Sequence, residues 1–375
     1  ITNPGASYAA DVKSVIRIRT KPPKGDGFSG ILRSDNGFQH YFRTGNSLDL
    51  KYRTGGLEIF ANYGWWRGNT RFERLNDMNT TTSKGTYRQF VSTIGKESYN
   101  DMTGKLGFSY MINDRHSIGA YYQNSWNRHN TDGTIPSEIW QNGILLDLYN
   151  SDVHNQSTAV PRHYANIYYN GIVGKLNIDF NADYIWYKSR ELTFNNELSE
   201  MGNDREVNTS SINRNRMFAE KLVMTYPLWK GQIEIGEEYT NTRTTNLFSA
   251  NIPETPNADN RVDENNIALF AELGQQFGRF MIGAGLRYEH VKFNYYEMGL
   301  LRDGQSKTYN NIFPSLNIAT EVGKVRMGLN YTGKTIRPGY DQLDGAISYI
   351  NRLTYETGNP YLKPTKLQTV EYMAQ

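Results

Sequence analysis

The chain carries six histidines, His40, His116, His129, His154, His163 and His290, and no cysteine. No two of these histidines stand at a zinc-protease or zinc-finger spacing. Without thiolates, neither a disulfide framework nor a cysteine-ligated metal is available. Asp259, Asp263 and Glu264 offer the oxygen ligands a hard cation wants, but not at EF-hand spacing; a solvated acidic loop accounts for them. Glu237 and Glu238 are adjacent, so on a strand they point to opposite faces and cannot work as an acid–base pair. No Gly-x-Ser-x-Gly elbow or phosphate loop is present. Gly283-Ala284-Gly285 lacks the third glycine of a dinucleotide fingerprint and lies within a strand pattern. The expectation is therefore no enzyme, no metal and no cofactor.

The remaining chemistry is that of a wet passage. Asp49, Lys51, Arg53, Lys175, Asp179, Asp183, Arg287, Glu289 and Arg326 fall on the polar parity of alternating segments, where they would line a hydrated lumen. They hydrate that lumen or pair with whatever fills it. Trp66, Trp140 and Tyr149 fall on or near polar stretches read as external loops. They are candidate ligand contacts, because aromatic side chains give a binding site broad apolar surface.

These residues need strands to position them, and the stretch from Asn266 to Glu289 gives the unit. Ile267, Leu269, Ala271 and Leu273 share one parity, with Phe270 as an exception. Beyond Gly278-Arg279, Phe280, Ile282, Ala284, Leu286 and Tyr288 alternate with Met281, Gly283, Gly285, Arg287 and Glu289. Two such arms around a Gly-Arg corner form a β-hairpin. Each arm has about ten residues, enough for a tilted strand to cross a bilayer core of ~30 Å.

The unit recurs. Leu48 to Tyr52 and Leu57 to Trp65 flank Gly55-Gly56. Leu106 to Tyr110 and Ile118 to Trp126 flank Asn113-Asp114-Arg115. Ala165 to Tyr169 and Leu176 to Trp186 flank Gly174, and Ile312 to Val322 and Val325 to Tyr331 flank Gly323. Met217 to Tyr226 has mixed parity, with Glu220 and Lys221 near its middle, and its faces stay open. Short strands are also expected at Val15 to Ile18, ahead of a Pro-rich break, and at Leu367 to Met373. Between the hairpins lie long polar stretches, 68–100, 127–162, 190–214 and 242–265, read as loops. Tight corners alternating with long loops are the habit of outer-membrane barrels. The expected fold is an all-β, antiparallel, up-and-down transmembrane barrel with about 14 strands in this chain.

Composition agrees. The chain has 375 residues with 27 Tyr and 34 Gly and a mean hydropathy of −0.67, the mixture expected when only half of each strand meets lipid. No run of ~18 apolar residues is present, so helical spans are excluded. The formal charge of +3 gives no footprint for nucleic acid. Trp65, Trp126, Trp186 and Tyr288 each follow a tight corner by about ten residues on the apolar parity, as a girdle at the outer rim of the membrane would.

Several stretches resemble the TonB-dependent outer-membrane receptor superfamily, and within it the Bacteroidetes type of outer-membrane β-barrel. Ile1 to Asp11 with Val15-Ile16-Arg17-Ile18-Arg19-Thr20-Lys21 looks like the end of that family's plug domain. Asn311-Ile-Phe-Pro-Ser-Leu316, Ile336-Arg337-Pro338 and Gly358-Asn-Pro-Tyr-Leu-Lys-Pro364 resemble its later landmarks. The resemblance implies a plugged barrel of about 22 strands in the full protein. Residues 1–25 would be the end of the plug and its linker, and 26–375 a barrel expected to continue past Gln375. It implies nutrient uptake driven by a TonB-type periplasmic protein, through a segment not in this chain. The nutrient would be a siderophore, cobalamin, oligosaccharide or peptide. Outer-membrane lipid and a surface lipoprotein are the other expected partners. A passive porin and a soluble glycan-binding β-protein are the rival readings. Steady conductance would mark the first and extraction without detergent the second.

Overall fold

The structure, a computed structural model, describes residues 5–12, 15 and 25–375. The strand expected at Ile16 and Ile18 and the break at 21–24 lie outside them. The strands are β1 (Gly27–Phe38), β2 (Phe42–Thr54), β3 (Leu57–Thr82), β4 (Gly85–Asn113), β5 (His116–Gln141), β6 (Ile144–Val173), β7 (Leu176–Ser199) and β8 (Arg205–Leu228). There follow β9 (Gly231–Ala250), β10 (Ala258–Phe277), β11 (Phe280–Glu297), β12 (Leu300–Leu301), β13 (Lys307–Val322) and β14 (Val325–Ile336). After β14 come a one-turn helix α1 (Tyr340–Leu343), β15 (Ile347–Asn351), β16 (Thr354–Thr357) and β17 (Thr365–Ala374).

Among the described residues the main path holds fourteen strands in chain order, β1 through β11, then β13, β14 and β17; β12 pairs with β11, and β15–β16 form a separate hairpin. Every ladder is antiparallel, as an up-and-down meander requires. Seven of the two-residue corners start with a residue at positive φ: Gly55 (53°), Asn142 (50°), Gly174 (61°), Trp229 (51°), Gly278 (58°), Met298 (50°) and Gly323 (65°). A two-residue hairpin turn with its first central residue in this region matches the strand twist, and glycine occupies it without strain.

The register places the apolar parity of every hairpin on one face. Leu106 pairs Ala61 and Tyr122, Ile167 pairs Ala182, and Leu269 pairs Tyr288. Trp65 and Trp126 both pair Met102, and pairings from Asn124 through His163, Trp186, Arg216, Arg243 and Asp263 to Asn294 keep Trp186 and Tyr288 on that same face. The mixed-parity strand is settled too. Phe218, Glu220, Leu222 and Met224 face outward with Tyr184, Ala182, Phe180 and Ile178, and Lys221 faces inward. Leu106 on the lipid face is 60% exposed and lies about midway between the corner at Asp114-Arg115 and Met102, the girdle partner of Trp65 and Trp126. Leu106→Arg is expected to cost ~2–4 kcal/mol of stability in vesicles, the penalty for a cation near the bilayer midplane. An unchanged urea midpoint would contradict the lipid-facing assignment.

The polar stretches read as loops are strands. β3 and β4 run 26 and 29 residues and meet at Ser83-Lys84, and β6 runs 30 residues. At ~3.3 Å per residue the last is roughly 100 Å of contour, several times what a membrane crossing uses. Beyond the girdle both faces of the wall meet water or polar groups. No apolar alternation is selected there, and the ladder is kept by main-chain pairing with polar cross-strand ties. Examples are the two-pronged Arg88–Asp77 pair (2.8 and 2.8 Å) and Arg243–Asp263 (2.6 Å).

Candidate functional site: the inner wall and what it holds

Two segments lie against the inner face. The first is 5–12. The Ala10 amide donates to Glu289 Oε1 (3.4 Å), the Thr335 amide donates to the Ala10 carbonyl (3.1 Å), Lys334 Nζ donates to the Val12 carbonyl (3.0 Å), and Lys221 Nζ donates to the Ser7 carbonyl. The anchors come from β8, β11 and β14, so the wall curves around the segment. Small residues make the room. A Cβ on Gly285 would meet the Cβ of Ala6 at 2.8 Å, and one on Gly5 would meet Glu272 Oε2 at 2.5 Å.

Under this segment lies a buried charge cluster. Arg287 is 1% exposed and Glu289 0%. Arg287 Nε donates to Glu289 Oε1 (2.6 Å), Arg287 Nη2 reaches Glu238 Oε2 (3.3 Å), and Arg337, just past β14, pairs with the other oxygen of Glu289. Phe270, the parity exception, points inward. Lys221 Nζ and the Arg287 guanidinium stand 5.5 and 5.9 Å from its ring centre, a cation–π arrangement that partly offsets their desolvation.

The second segment is the strap from Arg337 to Pro364. Its β15–β16 hairpin is clamped by Glu197, which is 0% exposed. Glu197 accepts from Tyr349 Oη (2.6 Å), Arg352 Nε (2.8 Å) and Asn195 Nδ2 (3.0 Å), while Arg352 also reaches Asp147 (3.5 Å). Burial, then the adjacent carboxylate of Glu197, hold the Tyr349 phenol above its ordinary range, so it remains a donor. Farther along, Asp344 accepts from Asn260 Nδ2 (2.6 Å), from Asn246 Nδ2 and from the Ala346 amide (3.0 Å). Between strap and wall lies a cleft of about 680 Å³, lined by amides and hydroxyls such as Asn213, Asn215, Thr244, Asn359 and Tyr187. Among the described residues no group of His, Asp or Glu is arranged to hold a metal. Asp263 instead pairs with Arg243 and Arg261.

The residues singled out in the sequence are dispersed. Arg287 and Glu289 share the buried cluster. Asp183 accepts from Tyr164 Oη and Asn166 Nδ2, each at 2.7 Å, and Asp179 accepts from Asn181 Nδ2 at 3.2 Å. Arg326, beside a tight corner, pairs with Glu321 (3.2 Å). Lys175, read as lumen-facing, is in a corner instead. Trp66, Trp140 and Tyr149 are on strands, not loops, and no contact joins them among the described residues. Trp66 packs over Gly45 and Gly64, Trp140 donates to Glu138 (3.0 Å), and Tyr149 is buried beneath Arg352 (5.1 Å). In the girdle set, Trp65 donates to Asn100 (2.8 Å), Trp186 stacks on His163 (4.9 Å), Tyr288 Oη bonds Asn310 (2.8 Å) and Trp126 is exposed. Sequence reading missed Glu197, Arg337, Arg352, Lys221 and Lys334. Lys221 conforms to the inward polar parity of its strand, and the residue that blurs that parity is Glu220, outward opposite Ala182.

Outside the girdle, His129 joins β4 to β5, with Glu97 and Asp101 each 3.0 Å away. Burial alone would lower its pKa, but the two carboxylates outweigh it and raise the pKa above 6.5. A raised folded pKa gives stability that is full below the unfolded pKa and lost as pH climbs through the folded one. Protection of the β4–β5 amides, taken relative to the intrinsic base-catalysed exchange rate at each pH, should therefore be greatest below pH 6.5 and fall above it. His129→Gln should flatten the profile.

A curled antiparallel meander with a lipid-facing band and a charged, occupied interior defines an outer-membrane β-barrel protein. The family model for the outer membrane protein beta-barrel family matches residues 173–374, more than half of the chain, and the chain belongs to that family. No curated protein matches it. Similar solved structures include the outer membrane protease OmpT from Escherichia coli. It is 13% identical over 80% of this chain and 98% of that one, with a TM-score of 0.24. Another is BauA, the ferric preacinetobactin receptor from Acinetobacter baumannii. It is 8% identical over 92% of this chain and 70% of that one, with a TM-score of 0.29. Scores this low carry no functional meaning. The bacterial outer membrane is the protein's location.

Proposed function

We propose that the protein is a plugged outer-membrane receptor, not an enzyme, that takes a scarce nutrient into the cell. The observation that carries this reading is the 5–12 segment bonded to Glu289, Lys221, Lys334 and Thr335 inside the wall. An open porin has no use for such a set of anchors. The strap adds a second obstruction, and its polar cleft is the capture point for a siderophore, cobalamin, oligosaccharide or peptide. Release of the segment by a TonB-type partner would open the path, in keeping with the resemblance to TonB-dependent receptors with a plug domain.

The test is conductance in planar bilayers. The intact protein should pass little steady current, and a variant lacking residues 1–12 should pass several times more. Large, steady current from the intact protein would sink the receptor reading in favour of a passive porin. Growth of a deletion strain on defined nutrients then identifies the cargo.

A further inference from the structure

Of the two-residue corners, six share one end of the barrel, and five of these carry a cation in the second position: Arg115, Lys175, Lys230, Arg279 and Lys324. All five are exposed, and none makes a side-chain hydrogen bond or ion pair among the described residues. The sixth corner is Gly55-Gly56. The up-and-down order puts all six at one end of the barrel. The connections at the other end show no such series. Asn142-Gly143 and Met298-Gly299 are uncharged, Ser83-Lys84 carries one lysine, and the longer connections set Arg302 against Glu200, Asp204, Glu254 and Asp303. The cations stand about ten residues from the aromatic girdle, which is one hydrocarbon thickness away for a tilted strand. Next to them on the wall, Val173, Phe277, Phe280, Val322 and Val325 are exposed apolar side chains. The basic ring thus lies where the oily band gives way to headgroups.

Trp229 supplies an independent observation. It occupies the positive-φ position (51°) that glycine holds at four other corners, and it is 81% exposed. A bulky side chain in that region is strained, and such strain persists where something is gained from it. An exposed indole beside Lys230 at the headgroup level gains the favoured location of an amphipathic ring.

We infer that this ring of cations, with Trp229, binds the acidic headgroups of glycerophospholipids in the membrane leaflet nearest the tight corners. Each cation near an anionic surface strengthens association by about fivefold, and several corners reach one leaflet together. The inference needs only the barrel, so it stands or falls apart from the import reading.

The test uses the full chain in detergent micelles with added phosphatidylglycerol or phosphatidylethanolamine, bound lipid being counted by native mass spectrometry. The wild type should retain at least tenfold more phosphatidylglycerol, and the preference should shrink with salt. Combining Arg115→Gln, Lys175→Gln, Lys230→Gln, Arg279→Gln and Lys324→Gln should abolish it. Lys175→Arg, Lys230→Arg and Lys324→Arg together should preserve it. Folding is checked by heat-dependent gel mobility. If the fivefold variant fails that check, Lys175→Gln with Lys230→Gln alone should lower retention at least fivefold. Equal retention of the two lipids, or full retention by a folded glutamine variant, overturns the inference. Lipid A displacing phosphatidylglycerol would also overturn it, by moving the ligand to the opposite leaflet.

Discussion

Replacing Glu289 by alanine should loosen both segments held inside the barrel. The carboxylate is fully buried and receives Arg287, Arg337 and the Ala10 amide. Removing it leaves the Arg287 guanidinium, itself 1% exposed, with Glu238 as its remaining acidic partner. Breaking a buried pair from one side costs ~3–5 kcal/mol, because the surviving charge is still desolvated. The cost should fall mostly on the interior, since the main-chain ladders of β11 with β10 and β13 remain intact. Amide exchange at Ala10 and Thr335 should speed up by at least a hundredfold while the β10–β11 core stays protected. Glu289→Gln keeps an acceptor for Ala10 and should have a smaller effect. Unchanged exchange in the alanine variant would show that the 5–12 segment is held by something else.

The second large effect is expected at Glu197. The β15–β16 hairpin is tied down by Tyr349 and Arg352 converging on that one carboxylate. Arg352 also has Asp147 (3.5 Å), so Glu197→Ala removes part of the clamp. Hydrogen bonds to a charged partner are worth ~1.5–3 kcal/mol each, enough to shift the hairpin from held to mostly released. Arg352 then becomes a trypsin site. Cleavage after it should rise at least tenfold in detergent-solubilised protein, with the barrel otherwise resistant. A variant as resistant as the wild type would show that the hairpin is anchored through Asp344 and its neighbours instead.

The membrane band was legible in the sequence because lipid on one side and water on the other impose a strict alternation. Leu176 to Trp186 and Phe280 to Tyr288 could hardly be read otherwise. The outer half of the wall was not legible, for the same physical reason. Where water bathes both faces, Thr, Asn and Arg serve either side, and a strand looks like a loop. One clue was present. Asn142-Gly143, with Ile139-Trp140 before it and Ile144-Leu145 after it, is a strong hairpin signal, and β5 and β6 do turn there, with Asn142 at φ 50° and Gly143 at φ 82°. The interior was half legible. Arg287 and Glu289 fell on the inner parity, but their partners Arg337 and Ala10 lie 48 and 279 residues from Glu289. No local pattern encodes such a meeting. Phe270 broke the alternation because two cations needed its ring.

The shared ownership of Glu289 has a mechanical meaning. One of its oxygens meets the Ala10 amide and the other meets Arg337, the first residue of the strap. Tension on the backbone at Ala10 is therefore one side chain away from the covering that reaches Glu197 on the far rim. Were the proposed partner to pull on that segment, the force would reach the strap through a single carboxylate.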